Sequence, residues 1–488
     1  MFKLRCAFQI YDWGKVGRSS AVFQLLKGSS LELELDDTKP YAELWFGTHP
    51  SGPSLLSDCP YMSLDSYISK FPRCLGAISE ENFGHSLPFL LKVLSIEKAL
   101  SIQAHPTKEH AQLLHARRPD LYKDANHKPE LAIALTPFEA LLGFRSPKHI
   151  ASFVQGVPEL LEIVGNDCLS DLVSVAQLVE DEDSASIAIK AAYQKLMLSD
   201  EQKVASLVNQ LRDRLLQGEQ LQFSVPDNIN LSELTDVFIR LSTQFPGDVG
   251  CFSLFFLNYI KLETGQAVFL EANLPHAYLS GDCVECMACS DNVVRAGLTP
   301  KYKDVDCLLS MLEYEPRTAD DLIFPGESRP VELPAAGPWL SDTEITSRLP
   351  TPQVTRFAPP VEDFAVDKLL IPSSCRAFEL LPLPCASILV FIIGSGFLQH
   401  IPPKLADDTA EKQSVSINAN SSGFPVDAQA AGRLHQVLEF TRGTVVFISA
   451  GISCCIWQLP QDHTVNDPSD ACLAFRAFVN VDQFQPDQ

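Results

Sequence analysis

The chain has 488 residues, 46% of them hydrophobic and 20% charged, which is ordinary for a globular protein of two or three domains. The formal net charge of −23 argues against nucleic-acid binding, which needs clustered Lys and Arg, but a few local cations could still hold a small anionic substrate. No run approaches the ~20 apolar residues of a membrane span, and no signal-peptide core follows the start. The 14 scattered cysteines favour a reducing compartment, so we expect a cytoplasmic protein without membrane or nucleic-acid partners.

The first part of the chain alternates short β-branched and aromatic runs with turn residues, a pattern typical of strands. Residues 87–94 and 100–105 are two such runs, and residues 95–99 between them are predicted to form a turn. A brief helix is expected over residues 107–116, ending before Pro119.

The apolar spacing changes to the helical period from about residue 146, and we interpret residues 146–248 as a helical insertion. Within it, a capping-box pattern at residues 199–202 predicts a helix start, and Gly218 is a suitable stop. The acidic run 180–183 is expected in a solvated loop or at a helix end.

Strand patterns return after the insertion, in the buried apolar run 252–260 and in the run 267–271. Further on, the runs 386–394 and 444–451 are rich in β-branched residues and bounded by Gly, which predicts a second β domain. Residues 406–432 between them are polar and are expected to form a long loop.

These patterns predict a mainly β protein with a helical insertion. One catalytic β domain is built from residues 1–145 and 249–313, on either side of the insertion 146–248. The Pro-rich segment 314–362 is expected to be a linker or an extended crossing, and residues 363–488 form a C-terminal β domain.

Four residues from distant parts of the chain suggest a metal site. Gln103 and His105 are two residues apart on a predicted strand, so their side chains point to the same face. A later carboxylate, Glu130, and a second imidazole, His276, would complete the set. Imidazole and carboxylate are ordinary zinc ligands, and a catalytic zinc keeps one position for water or substrate.

The sequence around these residues resembles the type I mannose-6-phosphate isomerases. The match is dense over residues 7–145 and 245–307, thinner between them and weak beyond about residue 310. The blocks that carry the resemblance are residues 11–14, 41–45, 103–106, 126–130, 275–278 and 285–299.

The resemblance implies two cupin (jelly-roll) β domains plus the helical domain. It also implies one Zn²⁺ per chain, held by Gln103, His105, Glu130 and His276. The implied reaction interconverts mannose 6-phosphate and fructose 6-phosphate by proton transfer through a cis-enediol, which serves GDP-mannose synthesis. The expected partner is therefore a small anionic sugar phosphate. A monomer is expected, and an oligomer is not excluded.

Cationic side chains in these blocks are candidates for substrate contacts. By the resemblance, Arg295 matches the active-site arginine of the family and is expected to be catalytic, stabilising the developing oxyanion together with zinc; a guanidinium can hold an enediolate oxygen or a phosphate. Its alternative role is a structural ion pair with Asp291 or Asp304. Lys128 is expected to line the pocket as a cation or proton carrier rather than lie on the surface. Lys301 is a candidate phosphate contact.

Polar residues near the predicted ligands complete the candidate site. Ser101 shares its strand face with Gln103 and is a candidate substrate hydrogen-bond donor. Tyr278 and Glu285 are expected to shape the pocket or carry protons, with core hydrogen bonding as the alternative. The catalytic base stays open between Lys128 and Glu285, with His127 as a third possibility.

Two other function classes stay open. One is a cupin oxygenase or oxidoreductase with iron at the His/carboxylate site, and the other is a non-catalytic sugar-phosphate-binding homologue. Cys283, Cys286 and Cys289 have the spacing of a thiolate metal cluster but lack a fourth ligand of matching pattern. We interpret these three as buried apolar side chains.

Overall fold

The structure is a computed structural model that describes residues 1–29, 33–177, 182–226, 229–331, 351–402, 436–459 and 471–484. The helices are α1 Ala21–Gly28, α2 Leu64–Lys70, α3 Ala77–Phe83, α4 Lys108–Arg117, α5 Pro147–Gly156, α6 Pro158–Val175, α7 Glu182–Met197, α8 Glu201–Leu216, α9 Leu231–Gln244, α10 Gly250–Ser253 and α11 Val305–Met311. No helix among the described residues combines the length and apolar character that a bilayer crossing requires.

The strands that precede the helical region are β1 Phe2–Arg5, β2 Ala7–Gln9, β3 Lys15–Val16, β4 Pro40–Tyr41, β5 Glu43–Phe46, β6 Leu55–Leu56, β7 Cys59–Ser63, β8 Phe89–Ile96, β9 Ile102–Ala104, β10 Glu130–Ala134 and β11 Phe138–Phe144. Those that follow it, up to the second large sheet, are β12 Leu257–Leu262, β13 Ala267–Leu270, β14 His276–Ala288, β15 Val294–Gly297, β16 Ile323–Phe324, β17 Glu327–Arg329 and β18 Gln353–Phe357. The remaining strands are β19 Ala365–Ile371, β20 Ala377–Leu380, β21 Ser387–Ile393, β22 Gly396–Ile401, β23 Val437–Phe440, β24 Val445–Ile448, β25 Ser453–Gln458 and β26 Cys472–Phe478.

The first large sheet is organised around β14, its longest strand. Its main path runs β16-β13-β10-β14-β8-β5-β2, and the start of β14 also pairs with β9 and β11. Every residue of β8 and β10 is buried, because both faces of these strands are covered. The long central strand thus joins the part of the chain before the helical region to the part after it.

The second large sheet has the order β17-β18-β19-β26-β21-β24-β1-β6-β7. Its N-terminal members enter by long-range pairing, as where Phe2 of β1 lies opposite Phe447 of β24. Strands β17 and β18 fall inside the segment 314–362 that was expected to be a linker or an extended crossing. The second sheet combines strands from residues 1–145 with strands beyond residue 363, a pairing that no local sequence pattern indicates.

Helices α5 to α9 lie between Pro147 and Gln244 and share an apolar core with neighbouring strands. The apolar face of α9 is typical, with Leu234, Val237, Phe238 and Leu241 all buried. This stripe faces the other helices, so the helical region is a packed unit with its own apolar core. The mainly β architecture with a helical region agrees with the sequence prediction.

Several local predictions need correction or fall outside the described residues. The N-cap of α8 is Asp200 rather than Ser199: the Asp200 carboxylate accepts from the Lys203 amide at 2.9 Å, whereas the Ser199 hydroxyl bonds back to the end of α7. Gly218 follows α8 with φ 93°, as expected of a helix stop. Strand β8 extends into the predicted turn, and residues 252–260 divide between α10 and β12. The loop 406–432 and residues 180–181 lie outside the described ranges.

Candidate active site

Three adjacent strands bring the predicted ligands together. Gln103 of β9 lies opposite His276 at the start of β14 on one side and opposite Arg295 of β15 on the other. Glu130 opens β10, which pairs with the middle of β14. His105 follows β9 directly, and its carbonyl accepts the Asn273 amide at 2.8 Å, which ties it to the segment before His276.

The donor atoms of these residues converge on one point. Atoms of His105, Glu130 and His276 lie within 4.8 Å of one another, and all three residues are buried. The Nε2 atom of His105 lies 3.3 Å from a Glu130 oxygen, and that of His276 lies 3.9 Å from the other oxygen. The side-chain amide of Gln103 comes within 3.3 Å of His276 Nε2. The structure thus brings the four predicted ligands together, three of them buried and Gln103 half-buried at the cleft.

Hydrogen bonds to backbone carbonyls orient both imidazoles. Nδ1 of His105 lies 2.8 Å from the carbonyl of Asn292, and Nδ1 of His276 lies 2.9 Å from that of Leu274. A carbonyl can only accept, so each Nδ1 carries the proton and each Nε2 presents a lone pair to the centre. Among the described residues, the buried Nε2 of His105 has no hydrogen-bond partner. An orphaned lone pair of this kind is what a metal ligand offers.

The charge state of the group suits a divalent cation. Burial lowers the pKa of both imidazoles, that of His276 to about 4. Burial opposes ionisation of Glu130, yet His105 and Lys128 outweigh it and hold the pKa of that carboxyl well below its usual range. One carboxylate and neutral donors would leave a divalent ion with net positive charge.

A cleft of about 480 Å³ opens above this group. The predicted site residues all border it except the two ligand histidines, which are buried, and His127. Its ionisable lining contains five cations, Lys92, Lys98, Lys128, Arg295 and Lys301, and five carboxylates, Asp12, Glu43, Glu130, Glu285 and Asp291. Lys92 and Lys128 pair with Glu285 and Glu130, whereas no carboxylate among the described residues pairs with Arg295 or Lys301. These two cations can therefore bind an anionic ligand, although the whole chain is strongly acidic.

Glu285 and Lys128 lie inside the cleft wall. Glu285 is buried, and burial together with the charge of Glu130 raises its pKa to about 7. Its Oε2 atom is 3.2 Å from Nζ of Lys92, which keeps that pKa from rising further. Lys128 is also buried, with Nζ 3.2 Å from a Glu130 oxygen, so the alternative of a surface lysine is wrong.

Tyr278 and Ser101 occupy supporting positions. The Tyr278 hydroxyl is buried and borders the cleft; it makes no hydrogen bond of full geometry among the described residues, although Glu285 is close enough to interact with it. Burial, with the charges of Glu285 and Glu130, raises its pKa and keeps it protonated. The Ser101 hydroxyl donates to Oε1 of Gln103 at 3.0 Å. Because a serine hydroxyl can also accept, it can hold this amide in either orientation.

Arg295 has no carboxylate partner among the described residues. Its two proposed partners are engaged elsewhere: Asp291 lies 3.4 Å from His49, and Asp304 accepts the Tyr122 hydroxyl at 2.7 Å. Burial lowers the pKa of Arg295, and burial together with the Arg295 charge lowers that of Lys301. These two side chains are thus neighbouring cations facing one cleft.

The structure also bears on the predictions made for His127 and for the cysteines. His127 does not line the cleft, and its Nε2 atom lies 2.9 Å from a carboxylate oxygen of Asp363, so it is not a candidate base.

Cys283 and Cys286 are buried free thiols that belong to two different apolar clusters. This arrangement agrees with their interpretation as core side chains.

Sequence reasoning missed Lys92 and Asn292. Lys92 forms the ion pair with Glu285, and the carbonyl of Asn292 orients His105. Lys92 had a detectable signal, because it is the one charged residue in the predicted strand 87–94. The role of Asn292 uses a backbone carbonyl, which no side-chain pattern can indicate.

Comparison with known protein families gives a consistent result. The model of the type I phosphomannose isomerase catalytic domain matches residues 1–147, and that of the helical insertion domain of the same family matches residues 163–257. A probable mannose-6-phosphate isomerase from Echinococcus multilocularis is 48% identical over 407 residues, covering 81% of this chain and 88% of the relative. Mannose-6-phosphate isomerase from Homo sapiens is 41% identical over 397 residues, with the same coverage.

Solved structures agree with these relatives. A zinc-bound mannose 6-phosphate isomerase superposes with a TM-score of 0.68 at 26% identity, covering 98% of both chains. A single-substitution variant of phosphomannose isomerase from Salmonella typhimurium gives a TM-score of 0.68 at 26% identity, covering 98% of this chain and 100% of that one. The similarity therefore extends across the β and helical parts alike. By sequence, fold and the residues gathered in its cleft, the chain belongs to the type I phosphomannose isomerase family.

Proposed function

We propose that the protein is a zinc-dependent aldose–ketose isomerase that interconverts mannose 6-phosphate and fructose 6-phosphate. The observation that carries this proposal is the convergence of Gln103, His105, Glu130 and His276 at a cleft in which Arg295 and Lys301 have no carboxylate partner among the described residues. The geometry alone indicates a small anionic ligand. The identity of the substrate comes from membership of the family.

Gln103, His105, Glu130 and His276 would hold one Zn²⁺ per chain. The fit rests on the unbonded Nε2 of His105, the lowered imidazole pKa values and the ionised carboxylate. Zinc bound there would supply positive charge that stabilises the oxyanion developing on the substrate. The amide of Gln103 presents its oxygen to the same point after a half-turn about its last side-chain bond, with the Ser101 hydroxyl then accepting from nitrogen.

Proton transfer between C1 and C2 is assigned to Glu285. In the aldose-to-ketose direction, the Glu285 carboxylate takes the proton from C2 and the C2–H electron pair forms the C1–C2 double bond of the enediol. The hydroxyl proton moves from O2 to O1, and the protonated Glu285 returns its proton to C1, which leaves a carbonyl at C2. Its pKa of about 7 suits both halves of that task near neutral pH. Lys128 is assigned the role of a fixed cation that donates to a substrate oxygen, since its ammonium group already lies beside Glu130. Tyr278, held protonated by burial, is assigned as a hydrogen-bond donor to the sugar.

Arg295, Lys301 and Ser101 are assigned to the phosphate-binding end of the cleft. A guanidinium binds phosphate through paired hydrogen bonds, and Arg295 has no competing carboxylate among the described residues. Lys301 adds a second charge beside it. The serine hydroxyl contributes a neutral donor to the same anion.

The proposal also covers the type of the β domains, the cellular location and the partners of the enzyme. We infer that both β parts are cupin-type barrels, and that residues 146–248 form the helical domain inserted in the catalytic part. We further infer that the enzyme works in the cytoplasm as a monomer, without nucleic-acid or membrane partners, and supplies GDP-mannose synthesis. The net charge of −23 argues against a nucleic-acid partner, which would need clustered Lys and Arg.

A coupled assay with mannose 6-phosphate tests the function. We expect turnover without oxygen, loss of activity on chelation and recovery with added zinc. Arg295→Ala should lose most activity while zinc stays bound, since Arg295 is not among the ligands. Oxygen-dependent chemistry with iron would instead support a cupin oxygenase. Binding of sugar phosphate without turnover would support a non-catalytic homologue.

A further inference from the structure

We propose that residues 244–250, here called the return segment, position the phosphate-binding end of the cleft. This segment carries the chain from the end of α9 back to the sheet. The inference rests on the proposed function, because it concerns the residues assigned there to hold the sugar phosphate. It gives the helical insertion a part in substrate binding.

Asp248 fixes the turn that follows Arg295. Its Oδ1 atom accepts two backbone amides, from Gly250 and from Leu298, each at 2.8 Å. Leu298 has φ 51°, a left-handed conformation that is unfavourable for a residue with a side chain. A hydrogen bond to a carboxylate is stronger than one to a neutral group, so Asp248 is well suited to hold this turn. The turn directs the chain from Arg295 to Lys301.

The return segment packs directly on the strand that carries Arg295. A Cβ atom on Gly250 would lie 2.8 Å from the Leu298 amide nitrogen, and one on Gly297 would lie 2.8 Å from Gly250 Cα. Only glycine at both positions permits this approach of the two backbones. The pairing of β15 with β9 is irregular between Arg295 and Gly297, at the same place. The contact therefore lies where the strand bends towards the cleft.

The other end of the return segment contacts the residues that lead into β9, the strand that pairs with β15. Oε1 of Gln244 accepts the Ala99 amide at 3.1 Å, two residues before Ser101. The ammonium group of Lys98 lies 4.6 Å from the ring centre of Phe245. The return segment thus bridges the start of β9 and the end of β15, the two strands that present Ser101 and Arg295.

The return segment is itself anchored in the helical core. The Phe245 amide donates to the carbonyl of Leu241 at 2.8 Å, and both side chains belong to the apolar core of the helical region. By contrast, the imidazoles of the metal group are oriented by the carbonyls of Asn292 and Leu274. Loss of the Asp248 carboxylate should therefore weaken phosphate binding and leave zinc in place.

Steady-state kinetics of three variants test this assignment. Asp248→Ala removes both hydrogen bonds, whereas Asp248→Asn keeps an acceptor oxygen, and Asp236→Ala removes an exposed carboxylate on α9. For Asp248→Ala we expect KM for mannose 6-phosphate and the inhibition constant of inorganic phosphate to rise together by about tenfold. Zinc content should not change and kcat should change far less than KM. Asp248→Asn should recover most of the loss, and Asp236→Ala should match the parent protein.

Unchanged KM and phosphate inhibition in folded Asp248→Ala would overturn the assignment. So would loss of zinc in step with activity, or a failure of Asp248→Asn to restore binding. If Asp248→Ala does not fold, Gln244→Met removes the acceptor for Ala99 and should raise both constants in the same way; no change there would equally refute the role. Absence of isomerase activity in the parent protein would instead refute the proposed function.

Discussion

Lys92→Met should move the pH dependence of catalysis towards higher pH. In the structure, Nζ of Lys92 lies 3.2 Å from Oε2 of Glu285 and opposes the effect of burial on that carboxyl group. Two unit charges at this distance attract by about 1.3 kcal/mol if screened as in water and about 5 kcal/mol at an effective dielectric constant of about 20. Since about 1.36 kcal/mol corresponds to one pKa unit, removing the cation should raise the pKa of Glu285 by at least about one unit.

The direction follows from the role of Glu285 as a base. Only its ionised form accepts the substrate proton, and the parent pKa is about 7. A higher pKa leaves less carboxylate at neutral pH, so kcat/KM should fall there and recover partly as pH rises. The measurement is kcat/KM against pH for the parent, for Lys92→Met and for Lys92→Arg, which retains the cation. An acidic limb that stays at the same pH in Lys92→Met would show that Glu285 is not the base.

Three further substitutions separate metal binding, stability and proton transfer. Glu130→Gln should lower zinc affinity by at least about tenfold, measured by competition with a chelator, because it removes the one anionic ligand; retention of parental affinity would exclude Glu130 as a ligand. Glu159→Gln breaks a pair with Arg214 at 2.9 Å in which Glu159 is 2% exposed. It should lower the free energy of unfolding by about 2 kcal/mol in denaturant titration without changing KM; an unchanged midpoint would contradict this. His127→Asn should keep most of the turnover, since His127 contacts Asp363 outside the cleft, whereas a loss comparable to that of Glu285→Gln would restore it as a candidate base.

Local pattern was enough to predict the strand that carries Gln103 and the helix that follows it, but not strands β10, β14 and β15, which carry Glu130, His276 and Arg295. Helix α4 begins after Thr107, whose hydroxyl accepts the His110 amide at 3.2 Å, close to the predicted start. Gln103 and His105 share a strand face because side chains alternate along a strand, and that rule needs no tertiary information. The meeting of His276 with these residues depended on the family resemblance, since more than a hundred and fifty residues of sequence separate them.

Features set by distant backbone pairing were not predictable. Strand β1 pairs with β24, which lies near the other end of the chain, and no local pattern in either strand indicates this partner. The short strands β17 and β18 lie in a Pro-rich segment that reads as a linker, and they become strands by adding to the edge of a sheet. Which nitrogen of each imidazole carries the hydrogen likewise depends on two backbone carbonyls that only the fold brings into place.

Anomalous X-ray scattering at the zinc edge, collected on crystals of the purified enzyme, tests the central claim most directly. The account predicts one strong peak per chain, within bonding distance of Gln103, His105, Glu130 and His276 and beneath the cleft that contains Arg295. A fully active enzyme whose zinc lies elsewhere, or that contains no metal at this point, would contradict it.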